Sequence, residues 1–381
     1  MEAAEHMTPE FWQSEQCHVM VNPRDLDAVE QAGIIEHWAE NEPSLSGHVL
    51  FATSGTMGGR KWVALSKGAL LASARMVNEH LSVQPGDHWL LALPDFHVGG
   101  MGVIARSYQQ GCSLTRMSGP WDAQEFHSLA QQQGITLASL VPTQIFDIVE
   151  AGIRAPESMR ALIVGGGRLD DGLYERAMAY GWPLIETYGM TESCSQIATS
   201  NVGERDLKVL AGWQTKVTTN GQLGVKGNAL LTAYVTCRDG HCSMHDPKLE
   251  GWFVTGDLVE MNHETLVVKG RVDRCVKVVG ELVNLDEIQD EVHNVSEGLA
   301  PGETVQGVSV IALQDARKGC QLILCAERGG DPSELLKRYN ALCHPAERID
   351  ELLVVDEIPR GALGKVHYAK LEEWADEQLQ T

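Results

Sequence analysis

"FATSGTMGGRKWVALS", residues 51–66, crowds Gly, Thr and Ser around two bases, between an apolar approach and a helix-compatible exit. Glycines let a backbone turn tightly and bring its N–H groups close to a ligand. The hydroxyls of Thr53, Ser54 and Thr56 can donate to phosphate oxygens, and Lys61 adds a point charge. The combination suits a polyphosphate. It is not the Walker pattern G-x-x-x-x-G-K-[ST], because Gly55 and Gly58 stand too close together. Taken alone these residues also fit a polar surface turn, so the rest of the chain has to decide.

Outward from this stretch, short apolar runs alternate with longer amphipathic ones. "HVLFAT", "HWLLALP", "LASLVP", "RALIVGGG" and "PLIETYG" read as strands; "KGALLASARMVNEHL", "AQEFHSLAQQQG" and "DDGLYERAMAYG" read as helices between them. Such alternation predicts an α/β fold with a largely parallel sheet covered by helices. Ligands of such sheets gather beyond the strand C-terminal ends, where the loops after Thr53, Val164 and Thr187 are expected. After about residue 205, "GQLGVKGNALLTAYV", "GWFVTGDLVEMN" and "TLVVKGRVD" read as a mainly β region. From "DEIQDEVHNV" onward the pattern fits a small α+β domain. The expected division is therefore 1–271 and 272–381.

Thirty Lys and Arg against fifty-two Asp and Glu leave a net charge of −22 over 381 residues. That opposes non-specific nucleic-acid binding, which needs phosphates neutralised, but not a phosphate ligand in one pocket. No run reaches the roughly 18 apolar residues of a membrane helix. The acidic start "MEAAEHMTPEFW" lacks the parts of a signal peptide, so the expected location is the cytoplasm. The nine Cys read as scattered reduced thiols, and "CRDGHCSMH" reads as a hairpin rather than a zinc site.

Three further stretches carry chemistry. In "ETYGMTES", 186–193, Tyr188 can stack on a base, Thr191 can bond a phosphate and the Glu192 carboxylate can hold Mg²⁺; a capped strand-to-helix turn is the plainer alternative. In "TGD", 255–257, a carboxylate just past a strand suits the two hydroxyls of a ribose. "PRGALGK", 359–365, puts a Lys on a glycine-flexed loop.

The order TSGT-x-G-x-x-K, YG-x-TE, TGD, GR-x-D-x-x-x-K-x-x-G, PR-x-x-x-GK resembles the adenylate-forming superfamily of acyl-CoA synthetases, luciferases and adenylation domains, over residues 48–370. "DHWLLALPDFHVGGMGVIARS", "TLASLVPTQIFDIV" and "MRALIVGGGRLD" are most similar to its o-succinylbenzoate–CoA ligase branch of menaquinone biosynthesis. The resemblance implies a large nucleotide- and acyl-binding domain and a small mobile one. It implies ATP, Mg²⁺ and CoA, with an acyl-adenylate as intermediate.

By the same resemblance Lys365 bridges carboxylate and α-phosphate, Thr191 bonds that phosphate and Glu192 ligates Mg²⁺. Thr53, Ser54, Gly55, Thr56, Gly58 and Lys61 cradle the β- and γ-phosphates; Gly165, Gly166, Gly167, Tyr188 and Gly189 flank the adenine; Asp257 and Arg271 take the ribose. His97 lies between the acyl and CoA sites, with a core histidine as the plainer reading. Thr143 and Gln144 line the acyl pocket, Lys277 and Gly280 approach the pantetheine, and Asp273 is the hinge. Two departures stand out. Arg60 occupies a position where the family usually has Pro, and the 52 residues before Thr53 imply a shortened N-terminal region, which a second copy of the chain could cover. Another acid, another acceptor, or a non-catalytic nucleotide-binding relative stay open as alternatives.

Overall fold

The computed structural model describes residues 8–53, 60–238, 240–300, 305, 307–315, 317–361 and 364–379. The chain forms two compact units. One holds Met1–Lys216, Gly224–Val254 and Asn262–Leu266; the other holds Val217–Leu223, Thr255–Met261 and Val267–Thr381.

In the first unit, strands Ser113–Arg116, His88–Leu91, Leu137–Leu140, Ala161–Val164 and Leu184–Tyr188 lie side by side in that order, all parallel. Ala198–Thr199 and Leu207–Val209 extend the edge antiparallel. Leu137–Leu140 and Ala161–Val164 are buried at every position. That is why these strands read as unbroken apolar runs: a parallel sheet is covered on both faces. Three helices of this unit start on side-chain caps, with Ser66, Asp122 and Asp170 accepting from the N–H of Ala69, Glu125 and Leu173. Phe126, Ile148, Leu162 and Trp182 meet in the core behind the sheet. Truncating Phe126 to Ala would cost about 3–5 kcal/mol.

One cluster pins the N-terminal ends of three adjacent strands. Asp87, Thr136 and Arg160 are the residues immediately before His88, Leu137 and Ala161. Arg160 donates to Asp87 through Nε (2.8 Å) and Nη2 (2.6 Å), and the Thr136 hydroxyl donates at 2.8 Å. The loops that carry the expected site residues lie at the opposite ends of these strands.

The strand His48–Thr53 is not part of the parallel sheet. It belongs to a second, five-stranded sheet ordered His18–Met20, His48–Thr53, Lys61–Ser66, Ala233–Arg238, His241–His245. It pairs antiparallel with Lys61–Ser66, Thr53 opposite Lys61, so the glycine-rich stretch joins a hairpin rather than a strand to a helix. This corrects the expectation that all three glycine- or hydroxyl-rich loops leave one sheet. Apolar runs mark a strand; they do not say which sheet it joins.

In the same sheet Ala233–Arg238 and His241–His245 form the hairpin expected for "CRDGHCSMH". Cys237 and Cys242 face each other across it, Cα atoms 4.1 Å apart, and are joined by a disulfide. The reading of all nine Cys as scattered thiols is corrected at this pair, because the hairpin register brings together residues five apart.

The second unit is an α+β body. Glu281–Asn284, Cys275–Val278, Gly319–Glu327 and Val308–Asp315 form an antiparallel sheet, with Glu351–Val355 added parallel to Gly319–Glu327. The two-residue period of Gly319–Glu327 divides its apolar residues between two cores. Leu322, Leu324 and Ala326 pack with helices Leu285–Glu297 and Pro332–Leu342 through Ile288, Val292, Leu335 and Tyr339. Ile323 and Cys325 pack with helix Tyr368–Leu379 through Leu371 and Ala375.

Candidate active site

In the first unit the expected nucleotide residues gather at the C-terminal ends of Ala161–Val164 and Leu184–Tyr188. Gly165 follows the first strand, where a Cβ would stand 2.6 Å from the Thr187 hydroxyl, and Gly166 has φ +83°. Only glycine fits that pair of positions, which leaves exposed backbone beside Thr187. Gly189 is held more tightly: its Cβ would overlap the carbonyl of Ser195. The chain therefore folds back on itself around Thr191–Ser193, a single 3-10 turn that presents Thr191 and Glu192 half-exposed.

Glu192 has a partner that motif reading did not name. Tyr234, on the second sheet, donates its hydroxyl to Glu192 Oε1 at 2.8 Å, and Leu231 N–H donates to the Glu192 carbonyl at 2.8 Å. Lys61 Nζ lies 4.7 Å over the Tyr234 ring. Tyr234 thus joins the carboxylate expected to hold Mg²⁺ to the base expected to hold phosphate. The donor set suits Mg²⁺, a hard cation usually held by one or two carboxylates plus phosphate oxygens. Thr53 turns its hydroxyl to the Lys61 carbonyl at 3.3 Å. Ser54, Gly55, Thr56 and Gly58 lie outside the described residues. Arg60 is taken up by Asp25, Nη2 to Oδ2 at 2.7 Å, the same residue that caps helix Leu26–Ala39.

His97 is the N-cap position of helix Val98–Gln110, and its ring lies 4.7 Å from that of Phe96, tilted at 51°. Thr143 is exposed on helix Pro142–Glu150. Gln144 turns back, accepting from Val141 N–H at 3.0 Å and donating to the Ala92 carbonyl at 3.5 Å. Its amide therefore caps its own helix.

The second unit carries the remaining residues. Asp257 lies inside the strand Phe253–Asn262 rather than just past one, and is buried. Arg271 reaches Asp257 Oδ1 at 3.0 Å through Nη1 and holds both oxygens of Asp273 at 2.9 and 3.1 Å. The Asp273 pairing, followed by Asp257, drives the Arg271 guanidinium above its ordinary range. Lys277 is exposed on the hairpin Cys275–Val278 / Glu281–Asn284, whose turn has Gly280 at φ +87°. Lys365 is exposed on a short loop closed by Gly361 N–H to the Lys365 carbonyl (2.8 Å) and His367 N–H to the Pro359 carbonyl (2.7 Å).

The two-unit α/β architecture and the nucleotide-type turns define an adenylating enzyme class, and the chain belongs to the AMP-binding enzyme family, whose model matches residues 10–227. Among curated relatives, a 2-succinylbenzoate–CoA ligase of Bacillus cereus is 26% identical, aligned over 96% of this chain and 81% of that one. Two solved structures are 25% identical. The Bacillus subtilis o-succinylbenzoate CoA synthetase with ATP and magnesium has TM-score 0.71, over 85% of this chain and 69% of that one. An arginine-to-lysine variant of the Escherichia coli enzyme MenE with bound OSB-AMS has TM-score 0.70, over 87% and 69%. No helix among the described residues is long and apolar enough to cross a membrane.

Proposed function

We propose that this chain is an ATP-dependent acid–CoA ligase that works through an acyl-adenylate, with 2-succinylbenzoate as its acid. The ordered run of motifs through Lys365 supports the reading, together with relatives named for that reaction. A carboxylate does not react with a thiol, because its leaving group would be oxide. Attack of the carboxylate on the α-phosphate of ATP forms a C–O–P bond and expels pyrophosphate. The CoA thiolate then attacks the acyl carbon and expels AMP.

The first transition state gathers negative charge at the α-phosphate, so positioned cations and donors supply most of the acceleration. Lys365 serves there, with the Thr191 hydroxyl beside the same phosphate. Glu192, oriented by Tyr234, holds Mg²⁺, which when bound neutralises triphosphate charge. Asp257, hydrogen-bonded by Arg271, accepts from ribose hydroxyls. The residues after 271 form the mobile domain, with Asp273 as its hinge, and Lys365 leaves the site as Lys277 and Gly280 approach it. A panel of acids assayed for pyrophosphate release, with and without CoA, tests this. The expected result is thioester formation, fastest with 2-succinylbenzoate. Faster turnover of simple fatty or benzoic acids would overturn the choice of acid, and transfer to an amine instead of CoA would overturn the acceptor.

A further inference from the structure

The two faces of strand Ala233–Arg238 point to different places. From one, Tyr234 reaches Glu192 Oε1. Cys237, three positions on, lies on the other with Val235, against the core of Ile35, Leu45 and Trp62. Its partner across the hairpin is Cys242, and the remaining seven of the nine Cys are free. The Cα separation of 4.1 Å is that of a non-hydrogen-bonded antiparallel pair, where facing side chains come closest. Both residues are half-buried, so small thiols can reach them. Burial instead holds the free thiols of Cys17 and Cys112 up at about 11 and that of Cys325 at about 12, which leaves them poor nucleophiles at neutral pH.

The strand that carries Cys242 has little else to hold it. His241–His245 ends its sheet, pairs among the described residues with Ala233–Arg238, and is exposed at every position but Cys242. A two-stranded edge with so little apolar surface is marginal unless tied. Tyr234 pairs with Val63 on one side and with His245 of this last strand on the other. The disulfide therefore closes the strand that flanks Tyr234, and opening it lets that strand fray.

We infer that Cys237 and Cys242 form a reversible thiol–disulfide site whose state sets MgATP affinity through Tyr234. The inference rests on the ligase reading above and adds control of its nucleotide site. Oxidation uses a low-molecular-weight disulfide. One cysteine thiolate attacks it, forming a mixed disulfide and releasing one thiol. The second cysteine thiolate attacks that mixed disulfide, closing Cys237–Cys242 and releasing the other thiol. Two electrons pass from the cysteines to the small disulfide, and the two cysteine protons end on the released thiols. A dithiol reductant runs the same exchange backwards. In the cytoplasm, the location expected from the sequence, disulfides are commonly of this transient or redox-sensing kind.

The test equilibrates the full chain with oxidised glutathione or with dithiothreitol, then counts thiols by alkylating the unfolded protein and weighing it. Seven should be alkylated after the first and nine after the second. Half-saturation by MgATP is read in both states by calorimetry, and by adenylate formation from 2-succinylbenzoate without CoA, itself a thiol. Reduction should raise it by about threefold or more, up to the roughly tenfold of losing the Tyr234 hydrogen bond, and reoxidation should restore it. Cys237→Ser combined with Cys242→Ser should match the reduced protein in either solution. Tyr234→Phe should bind MgATP weakly and equally in both states, although its cysteine pair still opens and closes. A purely structural tie would lower the melting temperature of the reduced protein and leave MgATP half-saturation unchanged, and that result would overturn the inference. So would nine alkylated thiols in both solutions, or a redox response that persists in Tyr234→Phe. A redox shift in calorimetry while no acid yields adenylate would overturn the ligase reading instead.

Discussion

Lys365 and Tyr234 make the sharpest tests of single side chains. Lys365 is exposed on its loop, so its removal leaves packing untouched. Loss of a charge-assisted contact in the adenylation transition state is worth roughly 3–4 kcal/mol, or about 10²–10³ in rate. Lys365→Ala should therefore nearly abolish acyl-adenylate formation while supplied acyl-adenylate plus CoA reacts almost normally. Equal impairment of both steps would refute that role. Tyr234→Phe keeps the ring under Lys61 and deletes only the hydroxyl on Glu192 Oε1. A hydrogen bond to a charged group is worth about 1.5 kcal/mol or more. Half-saturation by MgATP should rise roughly tenfold at an unchanged melting temperature, and an unaltered MgATP titration would show that Glu192 needs no such support.

The parallel strands divide their labour between their two ends. At the N-terminal ends the Asp87 carboxyl is nearly fully buried, which alone would raise it. Hydrogen bonds from Arg160, Gln84 N–H and Thr136 outweigh burial and hold it at about 2, against an ordinary 3.8. A carboxyl lowered on folding contributes stability above its unfolded value and loses it as pH falls through the folded one, here between about pH 4 and pH 2. The contribution is about 2 kcal/mol. Asp87→Asn should be less stable than the wild type by at least that amount at neutral pH, with the gap closing from pH 4 to pH 2 in denaturant titrations. A constant gap would mean that the ion pair is not what joins these strands. The opposite ends hold Gly165, Gly166 and the Thr191–Ser193 turn, where close backbone approach replaces packing. "RALIVGGG" and "PLIETYG" announced both strands and their loops because local apolarity and glycine are encoded residue by residue. Helix Val98–Gln110 was harder to read: glycines break its periodicity, and the helix forms because Gly100 can lie against the Pro94 carbonyl.

For the protein as a pair of units, Asp273 is the hinge we propose for the alternation between half-reactions. It holds Arg271 with both oxygens from within the 3-10 turn Val272–Arg274. Asp273→Pro fixes φ and removes the pair, whereas Asp273→Ala removes the pair alone. The Pro variant should form adenylate at the wild-type rate and thioester slowly; the Ala variant should lose much less of the second rate. Equal thioester rates in the two variants would argue that the ion pair, not backbone freedom, is what the second step requires.

By itself the sequence determined the class of fold and the succession of strands and helices, and the roles proposed for Glu192, Asp257 and Lys365 rest on it. Those depend on local period, turn residues and the order of short motifs, all of which lie within a few positions of one another. Tertiary structure alone decided the partners. Tyr234 meets Glu192 from 42 residues away, and Arg106 meets Ser139 and Ser195 from 33 and 89. The strand His48–Thr53 was legible as a strand, but its place in a separate antiparallel sheet was not. Cys237 and Cys242 read as separate thiols until the hairpin register set them opposite one another. A side chain's neighbours across a sheet or beneath a helix are fixed by packing between distant segments, and no local pattern carries that information.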